Sequence, residues 1–191
     1  MLGWVSTRRK ESAMTATTQT GFIEMRIAKV VGFGAPLAER DLSCIVLDEV
    51  SGDRHLVIDV GTSEGFFLAA QLQGMTFARP MTYQFAAALV QGLGGQVREV
   101  RIDRLIDGAY GATVTVEGPA GPQHVDARPS DALNLGALTG AAIFVSAEVL
   151  DHGHRQREGE SATASLLRLA PTVPAMRISR ELPPGAEAEA D

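Results

Sequence analysis

The sequence predicts an α+β domain built on mostly antiparallel sheet, with about three short helices. Three observations carry this expectation. Tyr110, Ala112, Val114 and Val116 alternate with Gly111, Thr113, Thr115 and Glu117, the period-two pattern of a half-buried strand. Ser51-Gly52-Asp53 and Asp107-Gly108 are turn sequences set between apolar runs, as in hairpins. Two Arg-Pro corners, Arg79-Pro80 and Arg128-Pro129, each lead straight into a helical stretch. A residue before proline is pushed into extended backbone, and proline has no N–H to donate to a ladder. Each corner therefore ends extended structure and admits a helix.

Ordered structure is expected to begin near Met25. Residues 25–32 read as a first strand and 41–50 as a second, both rich in β-branched and large apolar side chains. Gly32, Gly34 and Pro36 break the pattern between them. Residues 54–60 return as the third strand. Gly61-Thr62-Ser63-Glu64 then opens a helix, with Thr62 or Ser63 as cap and Glu64 in the first turn. Phe66, Phe67, Ala69, Ala70 and Leu72 supply its apolar face, and Gly74 its stop. After the first corner, Thr82 is the expected cap of a helix over 83–90, ended by Gly92, Gly94 and Gly95. Strands come next at 96–106, 110–117 and 123–127. Ser130 is the expected cap of the third helix, with Asp131 at its positive end and Gly140 as its stop. Residues 142–146 make a last short strand.

The single domain is placed at residues 25–150, between a disordered leader over 1–24 and a polar, disordered tail over 151–191. The leader carries Arg8, Arg9 and Lys10 but no apolar run, so it does not read as a secretory signal. His152 and His154 in the tail are a weak chelating pair. With 45% apolar and 21% charged residues the chain has a globular composition. No stretch has the length of a membrane span, and no membrane partner is expected. A formal charge of −6 argues against broad electrostatic attraction to nucleic acid, yet leaves room for a small basic site. The single cysteine, Cys44, lies in an apolar run; it excludes an internal disulfide and reads as a buried thiol in a reducing, cytoplasmic setting.

The chain is organised around residues 125–135, where a strand meets the second corner. Asp126, Arg128 and Asp131 put two carboxylates and a guanidinium within six residues at a helix N-terminus. That placement suits anion recognition or acid–base chemistry. It suits a structural role equally, with Arg128 paired to Asp126 or to Asp131.

Taken in order, these motifs resemble the bifunctional nuclease family, whose bacterial and plant members are described as degrading both DNA and RNA. The resemblance covers residues 25–150. It rests on Ile58-Asp59-Val60-Gly61-Thr62-Ser63-Glu64, on Arg79-Pro80-Met81-Thr82 and on Asp126-Ala127-Arg128-Pro129-Ser130-Asp131-Ala132. Ile143-Phe144-Val145 with Glu148-Val149-Leu150 closes it. The resemblance implies hydrolysis of phosphodiester bonds, with nucleic acid as partner and a homo-oligomer left open. That chemistry needs a water nucleophile, charge stabilisation at the phosphate and, as a rule, a divalent cation held by carboxylates. Glu64, Asp126 and Asp131 are then the expected catalytic carboxylates, with oxygen ligands suited to magnesium or manganese. Arg79, Thr82, Arg128 and Ser130 are the expected substrate-binding residues, the arginines gripping phosphate through paired N–H donors. Each also has a plain structural reading, as a first-turn helix charge or a brace at a corner. His124 shares a strand face with Asp126 and reads as a surface residue.

Three positions depart from the family pattern. Where the family commonly has Thr-His-Asp, this chain has Thr82-Tyr83-Gln84, and Gly65 replaces an alanine. Neither tyrosine nor glutamine supplies a near-neutral acid–base group, so weak, metal-dependent activity is expected. The rival expectation is a non-catalytic binding or scaffold module of the same fold. Convergence of Glu64, Asp126 and Asp131 in one cleft near the arginines separates the two.

Overall fold

The computed structural model describes residues 21–31 and 42–159. Strands β1 (Phe22–Val31), β2 (Leu42–Glu49) and β3 (His55–Gly61) form an antiparallel meander. Its second turn is clamped by charge: Arg54 donates to both oxygens of Glu49, at 2.8 and 3.0 Å, across Ser51-Gly52-Asp53. Helices α1 (Thr62–Leu72) and α2 (Thr82–Gly92) come after it. A second antiparallel meander comprises β4 (Gln96–Ile106), β5 (Ala109–Gly118) and β6 (Gly121–Ala127). Its first turn is made by Asp107 and Gly108 at φ of 50° and 80°, the left-handed backbone that Asp-Gly tolerates in a tight hairpin. The described chain ends with α3 (Pro129–Thr139), β7 (Ala142–Ser146) and α4 (Ala147–Gly159).

All seven strands join one sheet in the order β3-β2-β1-β7-β4-β5-β6. The last strand in sequence thus sits in the middle, antiparallel to β1 and parallel to β4. This corrects the expected architecture on two counts: the sheet is mixed rather than mostly antiparallel, and the helices among the described residues number four rather than about three. The parallel pair has a mechanical cause. Helix α3 leaves the edge strand β6 and packs back over β5 and β4. The chain is thereby delivered to the open side of β4, where the next strand runs in β4's own direction. The fourth helix lies where the composition turns polar. Only Val149, Leu150 and Gly153 of its described residues are buried. Gly153 permits the contact, since a Cβ there would collide with Leu56 Cδ1.

One hydrophobic cluster unites the strands with α1, α3 and α4, through Leu47, Ile58, Leu68, Val100, Val114, Leu133, Val145 and Leu150 among others. Helix α4 touches both β3 and β4, although three strands lie between them, so the sheet curls around its helical face. Cys44 is half-buried rather than fully buried, and its thiol donates to Asp59 Oδ1 at 3.2 Å. The expectations of a disordered leader and tail fall largely on residues 1–20 and 160–191, outside the described residues.

Candidate functional site

Helices α1, α2 and α3 begin at Gly61, Met81 and Arg128, the residues that cap them. The hydroxyl residues expected as caps lie inside instead: Thr62 and Thr82 are first helical residues, and Ser130 comes after Pro129. Proline is well placed at the first helical position, because that N–H has no helical partner in any case. At α2 the expected hydroxyl is replaced by Gln84, whose Oε1 accepts from the Met81 N–H at 2.9 Å.

Side chains from the first turns of these three helices meet at the Arg128–Asp131 pair. Arg128 donates from Nε to Asp131 Oδ2 at 2.7 Å and from Nη2 to Asp131 Oδ1 at 2.9 Å. The same Nη2 lies 3.1 Å from Glu64 Oε1 in the first turn of α1. Tyr83, in the first turn of α2, donates its hydroxyl to Asp131 Oδ1 at 2.8 Å. Its ring packs edge-on against Phe67, which packs likewise against Phe77, so α1 and the loop before α2 fix the direction of the phenol. Glu64 folds back over Gly61, where a Cβ would meet its Oε2.

Below this cluster Asn134 holds α1 and α3 together. It is fully buried, donates to the backbone oxygens of Glu64 at 3.0 Å and Ser130 at 2.9 Å, and accepts from Gln71 Nε2 at 2.8 Å. The amide is thus satisfied by groups from both helices, which sets the spacing between Glu64 and Asp131.

Charge in the cluster is fixed. Burial pushes the Asp131 carboxyl up, but hydrogen bonds from Arg128 and Tyr83 and the charge of Arg128 outweigh it and hold the group below its ordinary value. Burial, then the hydrogen bond and charge of Asp131, raise the Tyr83 phenol well above its ordinary value, so it keeps its proton. The hydrogen bond and charge of Asp131 likewise raise Arg128.

Of the expected site residues, Glu64, Asp131 and Arg128 come together. Asp126 does not join them. Register pairs Val125 with Val114 of the core and Asp126 with Thr113, so Asp126 points from the sheet face away from the helices. There it is bound by Arg104. Arg79 is exposed ahead of α2, Thr82 is exposed, and Ser130 is 7% exposed within the α3 packing. Tyr83, Gln71 and Asn134 complete the cluster without having been expected as site residues. Asn134 had a signal: it lies one helical turn beyond Asp131, polar within the apolar run Ala132-Leu133-Asn134-Leu135. Among the described residues no three His, Cys, Asp or Glu side chains gather as a metal site. The two carboxylates here are turned onto a guanidinium, a donor set that offers magnesium or manganese no ready shell.

A mixed sheet with one arginine–carboxylate cluster at its helix starts defines the domain. The family model for the bifunctional nuclease domain matches residues 45–158, and the chain belongs to that family. It is also similar to two proteins from two strains of Mycobacterium tuberculosis, both described as uncharacterized, at 35% identity over 106 residues. The match covers 56% of this chain and 63% of each relative, so the chain spans less than two thirds of their length. No helix among the described residues is long and apolar enough to cross a membrane.

Proposed function

We propose that this domain binds the phosphodiester backbone of DNA or RNA at the Arg128 cluster and hydrolyses it slowly. One observation carries the reading: Arg128 is held from two helices at the meeting point of three helix N-termini, yet its side chain is 65% exposed. A phosphate reaching that guanidinium also meets the positive ends of three helix dipoles, where developing negative charge is stabilised. Glu64 makes one contact to Arg128 at 3.1 Å and is the carboxylate left to orient an attacking water. Slowness comes from the same geometry. Asp131 is held charged and Tyr83 held protonated, so neither exchanges a proton readily near neutrality. Assistance by magnesium or manganese, arriving with the substrate, is part of the proposal and its test.

A second reading, a binding module without turnover, is favoured by Asp131 spending both oxygens on Arg128 and by the separation of Asp126. The deciding assay measures DNA and RNA cleavage, with and without magnesium or manganese, for wild type, Asp131→Ala and Tyr83→His/Gln84→Asp. The expected result is slow cleavage by wild type, loss in Asp131→Ala, and a gain of roughly 100-fold in turnover in the double variant. Binding without cleavage by any of the three folded proteins would establish the module instead.

A further inference from the structure

The core of this fold is aliphatic: among the described residues, no aromatic side chain is one of its buried hydrophobics. The rings gather nearer the surface instead. Three of the chain's seven phenylalanines and one of its two tyrosines meet beside the helix starts. Phe67 is the hub, with Phe66, Tyr83 and Phe77 at centroid distances of 5.7, 6.0 and 6.5 Å. The ring planes cross at 66°, 75° and 68°, so no contact hides one ring face to face against another. Phe66 leaves 44% of its surface to solvent, and the other three are half-buried. Tyr83 ties the rings to the charged cluster, because its phenol donates to Asp131, which holds Arg128. Rings kept out of an aliphatic core and joined to an exposed arginine suit a ligand that is flat and apolar in one part and anionic in the next.

We propose that these rings are a stacking surface for unpaired nucleobases, and that the domain takes single-stranded DNA or RNA in preference to duplex. The inference rests on the reading of Arg128 as a phosphate contact, and it names the form of nucleic acid that this contact serves. Two further observations support it. The first is charge. From Gly65 to Arg98 the chain has no acidic residue, although it holds 23 in all. The segment that carries the four rings therefore does not repel a polyanion, even in a chain of net charge −6. The second is the position of Arg79. It is exposed, follows Phe77 by two residues, and makes no hydrogen bond or ion pair among the described residues. Guanidinium groups thus stand at both ends of the chain of contacts, Arg128 beyond Tyr83 and Arg79 beyond Phe77.

A strand with a phosphate on each arginine lays the bases between them over the rings. Stacking on an aromatic side chain needs an open base face, which a single strand offers and a duplex keeps against its neighbouring pairs. It reads neither sugar nor sequence closely, so DNA and RNA strands are taken alike.

Fluorescence anisotropy of labelled strands tests it, at one fixed ionic strength and with chelator present to suppress cleavage. The probes are oligothymidylate, oligouridylate, an abasic strand of equal length and a hairpin duplex. Stacking contributes about 5- to 150-fold per base, so both base-bearing strands are expected to bind at least about 10-fold tighter than the abasic one. The hairpin is expected to bind more weakly than they do. Phe66→Leu/Phe77→Leu keeps apolar bulk but removes two planar faces. It is expected to bind the abasic strand as wild type does and to lose most of the preference for bases. Base-bearing strands that bind no tighter than the abasic strand, or less tightly than the hairpin, overturn the proposal. So does a preference undiminished in the folded double variant. In those cases weaker binding by Arg128→Lys keeps the phosphate contact standing. Absence of binding to every strand, or binding that Arg128→Lys leaves unchanged, removes that contact and this inference with it. Should the double variant lose its fold, the wild-type comparison of base-bearing and abasic strands decides.

Discussion

Two arginine–carboxylate networks lie on opposite sides of the same sheet. On the face away from the helices, Arg101 pairs with Glu99 at 2.6 Å and covers the Phe22 ring at 4.8 Å. Arg104 engages Asp103, the hydroxyl of Thr113, the backbone oxygen of Ala112, and Asp126. Thr115 joins His124 at 3.1 Å. Glu99, Arg101, Asp103 and Arg104 are neighbours along β4 itself, and strand register brings Thr113 of β5 and Asp126 of β6 to Arg104. At the helix ends, by contrast, one arginine gathers side chains from three helices: Glu64, Tyr83 by way of Asp131, and Asp131 itself. The residue types are alike, but only the second network adds helix dipoles to the guanidinium and leaves most of it accessible. Arginine–carboxylate pairing alone therefore does not mark a site. Its position relative to helix ends does.

The comparison breaks most readily at Asn134. Asn134→Ala removes three hydrogen bonds from a fully buried position and leaves the Gln71 amide without its acceptor, a loss of about 3 kcal/mol. A thermal midpoint lower by several degrees is expected. No comparable buried amide stands under the sheet-face network among the described residues, so Thr113→Ala should cost about 1 kcal/mol or less. Equal losses in the two variants would remove the distinction.

The pH dependence sharpens the contrast. Because the Asp131 carboxyl is held below its ordinary value of 3.8, its contribution to stability is complete above that pH. It is lost as pH falls through the depressed value of the folded state. For Tyr83 the sign reverses: the phenol is raised, so its contribution is complete below pH 10.0 and is lost in stronger alkali. Melting curves across pH should show the acid limb flattened in Asp131→Asn and the alkaline limb flattened in Tyr83→Phe. Unchanged limbs in both would mean that the cluster is not closed in solution. The smallest effect belongs to Asp126, whose side chain is 85% exposed. Asp126→Asn should shift the melting point by about a degree or less and alter cleavage less than about twofold, as for an ordinary surface pair.

Legibility in the sequence tracked the range of the forces involved. Hairpins were readable because turn chemistry is local: Asp107-Gly108 names its own backbone. The α3 corner was readable because Pro129 constrains the backbone on both sides of itself, extended before and helical after. The place of β7 was not, since Ala142–Ser146 is a short apolar run that fits several neighbours and only the path of α3 selects β4. Helix α4 was hidden because two buried aliphatics and a glycine anchor an otherwise polar stretch. In the site, Glu64, Arg128 and Asp131 were visible from motif and helix position. The diversion of Asp126 was not, because it depends on Arg104 across two strand pairings. The hydroxyl cap expected for α3 failed because Pro129 takes the first helical position, so the cap falls on Arg128, two residues before Ser130.

The central claim is that the helix-end cluster, and not the sheet-face network, meets the phosphate. Single-turnover cleavage of a labelled oligonucleotide by Arg128→Lys and Arg104→Lys, side by side with wild type, tests it most directly. Lysine keeps each charge but loses the planar fork. The account predicts a loss of about 100-fold for Arg128→Lys, as when a transition-state donor is removed, and less than about twofold for Arg104→Lys. Equal losses, or a larger loss for Arg104→Lys in a folded protein, would contradict it.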